Sequence, residues 1–251
     1  MNVTDPIRQV SVVSTGQVRI RPDHLASSWR PTFWPGGTTG FLYGRLARFE
    51  IGPQETLSAG LGRLGYAVGD VKTAVISHLH QDYTGGLAEL SQADIVVSQA
   101  EWNTLSSPLP EMRRLMTRHI DLPGLRWRRI EPETADNSGL APFRSCHDLL
   151  GDGSLVLLPT SGHTPGSMSM LIRRPGRAPL MMVRDVTYDA HLLEIGHVPG
   201  VGSRRRLREA TAMVNTMRQH YPGLVILPAH DPGAAGRLAQ ATGQAPTLAS
   251  A

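Results

Sequence analysis

The stretch TAVISHLHQDYTGG, residues 73–86, decides the fold. Its apolar start, Thr73–Ser77, predicts a buried strand that leads directly into two histidines and an aspartate. In an extended or gently turning chain, residues two apart point the same way, so His78, His80 and Asp82 can converge on one point. Imidazole nitrogen and carboxylate oxygen are ligands that zinc prefers. The stretch therefore predicts a metal site at a strand end.

Two glycines and three later segments extend this pattern. Gly85 and Gly86 allow a tight turn into the next element. Further β-like runs each end in a potential ligand: 154–159 before His163, 179–184 before Asp185, and 224–228 before His230. Any one of them alone is a common structural histidine or capping aspartate. Together, in this order, they favour a metal centre.

The remaining patterns predict a mixed α/β chain. Strands are expected over Gln9–Ile20, Phe41–Ile51, Thr73–Ser77, Asp94–Ser98, Ser154–Pro159, Ser167–Arg173, Pro179–Val186 and Leu224–Leu227. Helices are expected over Glu55–Tyr66, in pieces over Glu101–His119, over Arg204–His220, and from Asp231 onwards. Two β-rich halves, each followed by helices, favour two packed sheets with helices outside, an αββα four-layer sandwich. We expect a single domain over 1–251 with a frayed tail over 243–251.

Composition is that of an ordinary globular protein. The chain has 251 residues, 40% of them hydrophobic, and a formal net charge of +4. The arginine runs at 126–129 and 204–208 contain a single aromatic, Trp127, so we expect solvated faces and no nucleic-acid partner. No apolar run has the length of a membrane span, the N-terminus lacks the plan of a signal peptide, and Cys146 is alone. These features predict a cytoplasmic protein without a membrane partner.

The chain resembles the metallo-β-lactamase superfamily and, among its branches, is most similar to the N-acyl homoserine lactonases. SHLHQDYTGG matches the first metal motif of that family, SGHTPGS the second, RDVTYD the third and PAHD the last. The resemblance runs from about Thr73 to Leu238. It implies the metallo-β-lactamase fold.

The resemblance also implies a ligand set and an activity. It makes His78, His80 and His163 ligands of one metal ion, gives Asp82 and His230 to a second, and lets Asp185 bridge the two. The implied activity is attack by metal-bound hydroxide on the carbonyl carbon of a lactone or related ester, as in quorum quenching. Tyr188 would hydrogen-bond the developing oxyanion, and Asp82 would act as the base if one ion is bound. Zinc is expected, as one or two ions, and another divalent metal could bind similar ligands.

Two departures from the family pattern keep alternatives open. Tyr83 stands where the family carries a final metal-ligating histidine, and a phenol, with a pKa of about 10, is a poorer zinc ligand than imidazole. The second site should therefore be weakened, or completed by Tyr83 or water. Also, Phe41–Glu55 lacks the family's Asp-Thr-Gly turn.

Several functions therefore remain open. A thioesterase or other ester hydrolase of the same fold and a non-catalytic pseudoenzyme are the alternatives, and a nuclease is a third option. The expected partner is a small-molecule acyl substrate, and the sequence leaves a homodimer open.

Overall fold

The computed structural model describes residues 7–11, 17–20, 47–50, 53–135 and 139–243, with only the backbone at 17–20 and 47–50. Its strands are β1 (Gln17–Ile20), β2 (Ala47–Glu50), β3 (Thr73–Val75), β4 (Asp94–Ser98), β5 (Arg126–Ile130), β6 (Glu133–Thr134), β7 (Ser145–Asp148), β8 (Leu155–Pro159), β9 (Met168–Ile172), β10 (Leu180–Met182) and β11 (Val225–Leu227). Its α-helices are α1 (Leu57–Arg63), α2 (Gln81–Thr84), α3 (Gln99–Trp102), α4 (Thr117–Ile120), α5 (Ala190–Glu194), α6 (Arg204–His220) and α7 (Ala234–Thr242). Short 3-10 turns lie at Pro53–Glu55, Val68–Asp70, Leu87–Glu89, Asn103–Ser106, Pro110–Arg113 and Arg184–Val186.

The chain divides into two compact units. The N-terminal unit comprises Val13–Val97 and Trp102–Arg129, and the C-terminal unit comprises Met1–Val12, Ser98–Glu101 and Ile130–Ala251. The prediction of a single domain stays a prediction.

The N-terminal unit holds the antiparallel pair β1–β2 and a sheet of order β3-β4-β5, in which β3 and β4 run parallel. The N–H of Ile76 still donates to the Val96 carbonyl (2.9 Å), so strand-like pairing continues past the end of β3. Leu79 is fully buried in this unit's apolar cluster, together with Ile95 and Leu87. Because Leu79 lies between His78 and His80, this core contact fixes the backbone from which both histidines project.

The C-terminal unit contains a sheet of order β11-β10-β9-β8-β7-β6. The β10–β11 pair is parallel, and the pairs β9–β10, β8–β9, β7–β8 and β6–β7 are antiparallel. Two apolar clusters hold helices to it: α6 contributes Ala210, Val214 and Met217 to one, and α7 contributes Ala234 and Leu238 to the other. The strand ends that carry the later predicted ligands are thus fixed by well-packed helices.

Most predicted elements within the described residues form as the expected type, but several are shorter than predicted, and the strands β5 and β7 and the helix α5 were not predicted. Helix α6 spans the predicted range. The strand predicted over Pro179–Val186 ends at Met182, because Arg184 adopts a left-handed backbone, φ 52°, that a strand cannot continue through. The helix predicted from Asp231 begins at Ala234, and residues 231–233 form a turn before it in which the Asp231 carboxylate accepts the Gly233 N–H (2.7 Å).

Some predictions fall outside the described residues. They include the tail from residue 244 onwards and most of the strands Gln9–Ile20 and Phe41–Ile51. In the part of the chain that the structure describes, every helix is too short or too polar to cross a membrane.

Candidate metal centre

The first two predicted ligands lie together in the N-terminal unit. His78 and His80 are buried, their rings meet edge to face with centroids 4.8 Å apart, and one ring nitrogen of each lies within 4.8 Å of the other. The Ser77 hydroxyl lies 3.2 Å from His78 Nδ1. An outer contact to one ring nitrogen orients a histidine so that the other nitrogen binds the metal. His78 is therefore set to offer Nε2.

Asp82 and Tyr83 lie in a short helix and not in an extended segment. His80 is extended (φ −66°, ψ 154°) and precedes α2, so Asp82 lies in the first turn of a short helix and is exposed. The Tyr83 ring lies against His78, with centroids 4.1 Å apart and planes at 49°. The predicted extended spacing therefore holds from His78 to His80 and ends there.

The two glycines after the motif serve a different purpose from the one expected. Gly85 and Gly86 have φ values of −60° and −90°, which other residues adopt readily. A Cβ on Gly86 would lie 3.3 Å from Leu57 Cβ and Cδ2. Gly86 thus allows α1 to approach the motif closely, and the predicted turn forms with a backbone that does not require glycine.

In the C-terminal unit, Asp185 lies between two histidines. Its Oδ2 is 3.1 Å from His163 Nε2, and its Oδ1 is 3.4 Å from His230 Nε2. The His163 and Asp185 side chains are 3% and 5% exposed, so water screens their interaction little. Two atoms that each lie about 2.1 Å from one tetrahedral zinc are about 3.4 Å apart. Both separations therefore fit ligands that share a metal ion as well as they fit hydrogen bonds.

The loop that carries His163 is held against α6. The N–H of Ser203, the N-cap of α6, donates to the Gly162 carbonyl (2.7 Å). A Cβ on Gly162 would lie 2.7 Å from the Leu207 backbone nitrogen, so this approach requires glycine. The Gly162 N–H donates to the Thr164 carbonyl (3.0 Å), which closes the loop around His163.

The neighbour of His230 joins two more segments. The buried Asp231 carboxylate accepts hydrogen bonds from the N–H groups of Ala190 (3.0 Å) and Gly233 (2.7 Å) and from the Arg237 guanidinium. Burial alone would raise the pKa of Asp231, but these donors outweigh it and the pKa is lowered. Asp231 therefore stays ionised and links the His230 loop to the start of α5.

Tyr188 and Arg184 complete this part of the site. The half-buried Tyr188 ring meets His230 edge to face, with centroids 5.5 Å apart. Arg184, immediately before Asp185, has a left-handed backbone that costs a non-glycine residue about 1–3 kcal/mol. Such strain concentrates at functional sites, where it helps to aim a side chain.

Sequence reasoning missed Ser98 and Glu101. The Ser98-x-x-Glu101 spacing matches the signature of a helix capping box. The serine half of that pattern forms, because the Glu101 N–H donates to Ser98 Oγ (3.0 Å). The Glu101 carboxylate, however, accepts hydrogen bonds from Thr164 and Gly166, in the loop of His163. The sequence thus contains the Ser98-x-x-Glu101 spacing but gives no sign that Glu101 contacts the distant loop of His163.

The donor set fits a divalent metal. The N-terminal unit presents His78, His80 and Asp82, and the C-terminal unit presents His163, Asp185 and His230. Imidazoles and carboxylates are borderline-to-hard ligands that suit zinc, and also iron or manganese.

The comparison with protein families identifies the class of protein. The Metallo-beta-lactamase superfamily model matches residues 35–177, more than half of the chain. The chain therefore belongs to the metallo-β-lactamase superfamily, which confirms the predicted family.

Curated relatives and solved structures agree with this assignment. The N-acyl homoserine lactonase AttM of Rhizobium radiobacter is 30% identical over 173 residues, 68% of this chain and 62% of AttM. This chain thus matches less than two thirds of that relative's length. A mutant of B. thuringiensis AiiA with N-decanoyl-L-homoserine bound at its active site aligns with a TM-score of 0.61 at 21% identity, covering 74% of this chain and 66% of AiiA. AidC, a dizinc quorum-quenching lactonase, aligns with a TM-score of 0.52 at 16% identity, covering 70% of this chain and 63% of AidC. These likenesses confirm the metallo-β-lactamase fold.

Proposed function

We propose that the chain is a metal-dependent hydrolase that opens a lactone or cleaves a related ester, in the manner of an N-acyl homoserine lactonase. Membership of the superfamily supports hydrolysis, and the relative AttM supports a lactone substrate. The observation that carries the proposal is the Asp185 carboxylate, buried with one oxygen towards His163 and the other towards His230.

The ligand assignment follows from that carboxylate. We assign His78, His80 and His163 to one ion, Asp82 and His230 to a second, and Asp185 to both. The two separations from Asp185, 3.1 Å and 3.4 Å, support a shared role for its two oxygens. When bound, a divalent cation lowers the pKa of a coordinated water and polarises an acyl carbonyl.

The chain's own residues then complete the reaction. Water adds to the acyl carbon, the ring C–O bond breaks, and the leaving oxygen takes a proton to give a hydroxy acid. The Tyr188 hydroxyl donates a hydrogen bond to the carbonyl oxygen as it gains negative charge, a contact whose loss typically costs about 3–4 kcal/mol in the barrier. The exposed Asp82 accepts the proton of the attacking water when only one ion is bound.

Tyr83 weakens the second site. Its ring packs on His78, one of the ligands assigned to the first ion. A neutral phenol is a poor zinc ligand at neutral pH. We therefore propose that Tyr83 supports the His78 ring and that the first ion is bound more tightly than the second.

The experiment is acid release from acyl homoserine lactones, simple lactones, esters and thioesters, comparing the wild type with His163→Ala and Asp185→Asn. Both variants should lose at least 100-fold in kcat/KM, because each removes a ligand. His191→Ala is the matched control, since that histidine belongs to the same unit, its side chain is 74% exposed and it pairs with Glu194. It should leave turnover unchanged.

The panel also separates the alternatives. Thioester turnover without lactone turnover would replace the lactonase assignment by a thioesterase. A zinc-loaded wild type that turns over no member of the panel would favour a non-catalytic relative.

A further inference from the structure

Glu101 is a buried carboxylate with no place in the proposed chemistry. It is 0% exposed. Its Oε2 accepts a hydrogen bond from the Thr164 hydroxyl (2.6 Å) and another from the Gly166 N–H (3.0 Å). A buried carboxylate is costly unless it is well hydrogen-bonded, and these two contacts are among those that stabilise Glu101 there.

Ser98 binds the other side of the same peptide segment. Its hydroxyl donates to the Gly166 carbonyl (2.7 Å) and accepts from the Glu101 N–H (3.0 Å). Gly166 is therefore bound through both its N–H and its carbonyl. A Cβ on Gly166 would overlap the Glu101 backbone nitrogen, so the loop and the Ser98–Glu101 turn fit only with glycine at this position.

The bound segment is the one that carries a proposed ligand. Thr164 directly follows His163, whose Nε2 lies 3.1 Å from Asp185. The two ends of the loop are tied to each other, since the Thr160 N–H donates to the Ser167 carbonyl (3.0 Å) and Ser167 Oγ donates to the Thr160 carbonyl (2.9 Å), and Gly162 is held against α6. On the side of Thr164 and Gly166, Ser98 and Glu101 connect the loop to a segment more than 60 residues away in the sequence.

We infer that Glu101, assisted by Ser98, is a positioning residue for the metal ligand His163. It holds the Thr164 hydroxyl and the Gly166 backbone, both just after His163, so that the histidine keeps its orientation before a metal ion arrives. The inference depends on the proposed function only through the statement that His163 binds the metal. Outer residues of this kind typically change metal affinity by about 10–100-fold when they are removed.

The test measures zinc affinity directly, by competition with a chromophoric chelator, in Glu101→Ala, Glu101→Gln and the wild type. Glu101→Ala removes both hydrogen bonds and should weaken zinc binding by about 10–100-fold. Glu101→Gln keeps an amide oxygen in place of the carboxylate oxygen and should show a smaller loss. Glu101→Gln is nearly isosteric, so it carries the test if Glu101→Ala does not fold.

The control is Val214→Ala, a fully buried change on α6 in the same unit. Val214→Ala should lower the melting temperature while zinc affinity stays at the wild-type value. A loss of zinc affinity in the Glu101 variants is then not explained by a general loss of stability. Wild-type zinc affinity in both Glu101 variants would overturn the inference about Glu101 and leave the proposed function standing. An equal loss of zinc affinity in Val214→Ala would do the same. A wild-type protein that binds no zinc would overturn the proposed function, and this inference with it.

Discussion

At the scale of single residues, we propose that Tyr83 limits how many ions the protein holds. It stands at the position of a family metal ligand and packs against the His78 ring. We predict that Tyr83→His raises the zinc content from nearer one to nearer two ions per chain, because imidazole binds zinc at neutral pH and a neutral phenol does not. Elemental analysis after removal of loosely bound metal measures this.

The matched control for that change is Tyr66→His, because Tyr66 lies in the same unit and is 50% exposed. It adds a histidine at the surface and should leave the zinc content unchanged. A wild type that already holds two tightly bound ions, or a Tyr83→His variant that gains none, would show that Tyr83 does not limit the second site.

At the scale of elements, Asp231 joins the end of β11 to α5 and α7. Its carboxylate accepts two backbone N–H groups and the Arg237 guanidinium. Asp231→Ala leaves these donors without their acceptor and should lower the free energy of unfolding by about 2–3 kcal/mol, measured by chemical denaturation of metal-free protein. Asp152→Ala, which removes an exposed carboxylate whose hydrogen bonds are local, to Ser154 two residues away, should have a much smaller effect. Equal losses in the two variants would mean that Asp231 does not join the elements.

How far the sequence predicts these elements depends on how local their signals are. The apolar face and the Ser203 cap of α6 lie within its own segment, and the predicted and observed ranges agree. The strand ends before His163 and His230 were equally visible. The left-handed backbone of Arg184 could not be predicted, because an arginine in the sequence gives no sign of that conformation. The role of Glu101 could not be predicted either, because its hydrogen-bond partners lie 63 and 65 residues away.

At the scale of the whole molecule, the proposed ligands are divided evenly along the chain. The N-terminal unit supplies three and the C-terminal unit supplies three, each from segments fixed by that unit's own apolar cluster. Strand pairing and core packing therefore position the proposed donors within each unit.

The most direct test of the central claim, metal-dependent hydrolysis, is acid release from an acyl homoserine lactone by chelator-stripped protein and by the same protein reloaded with zinc. We predict that removing the metal abolishes turnover and that adding zinc back restores turnover in proportion to the zinc bound, because the proposed ligands activate water only through the metal. Undiminished turnover by protein that elemental analysis shows to be free of metal would contradict metal-dependent hydrolysis.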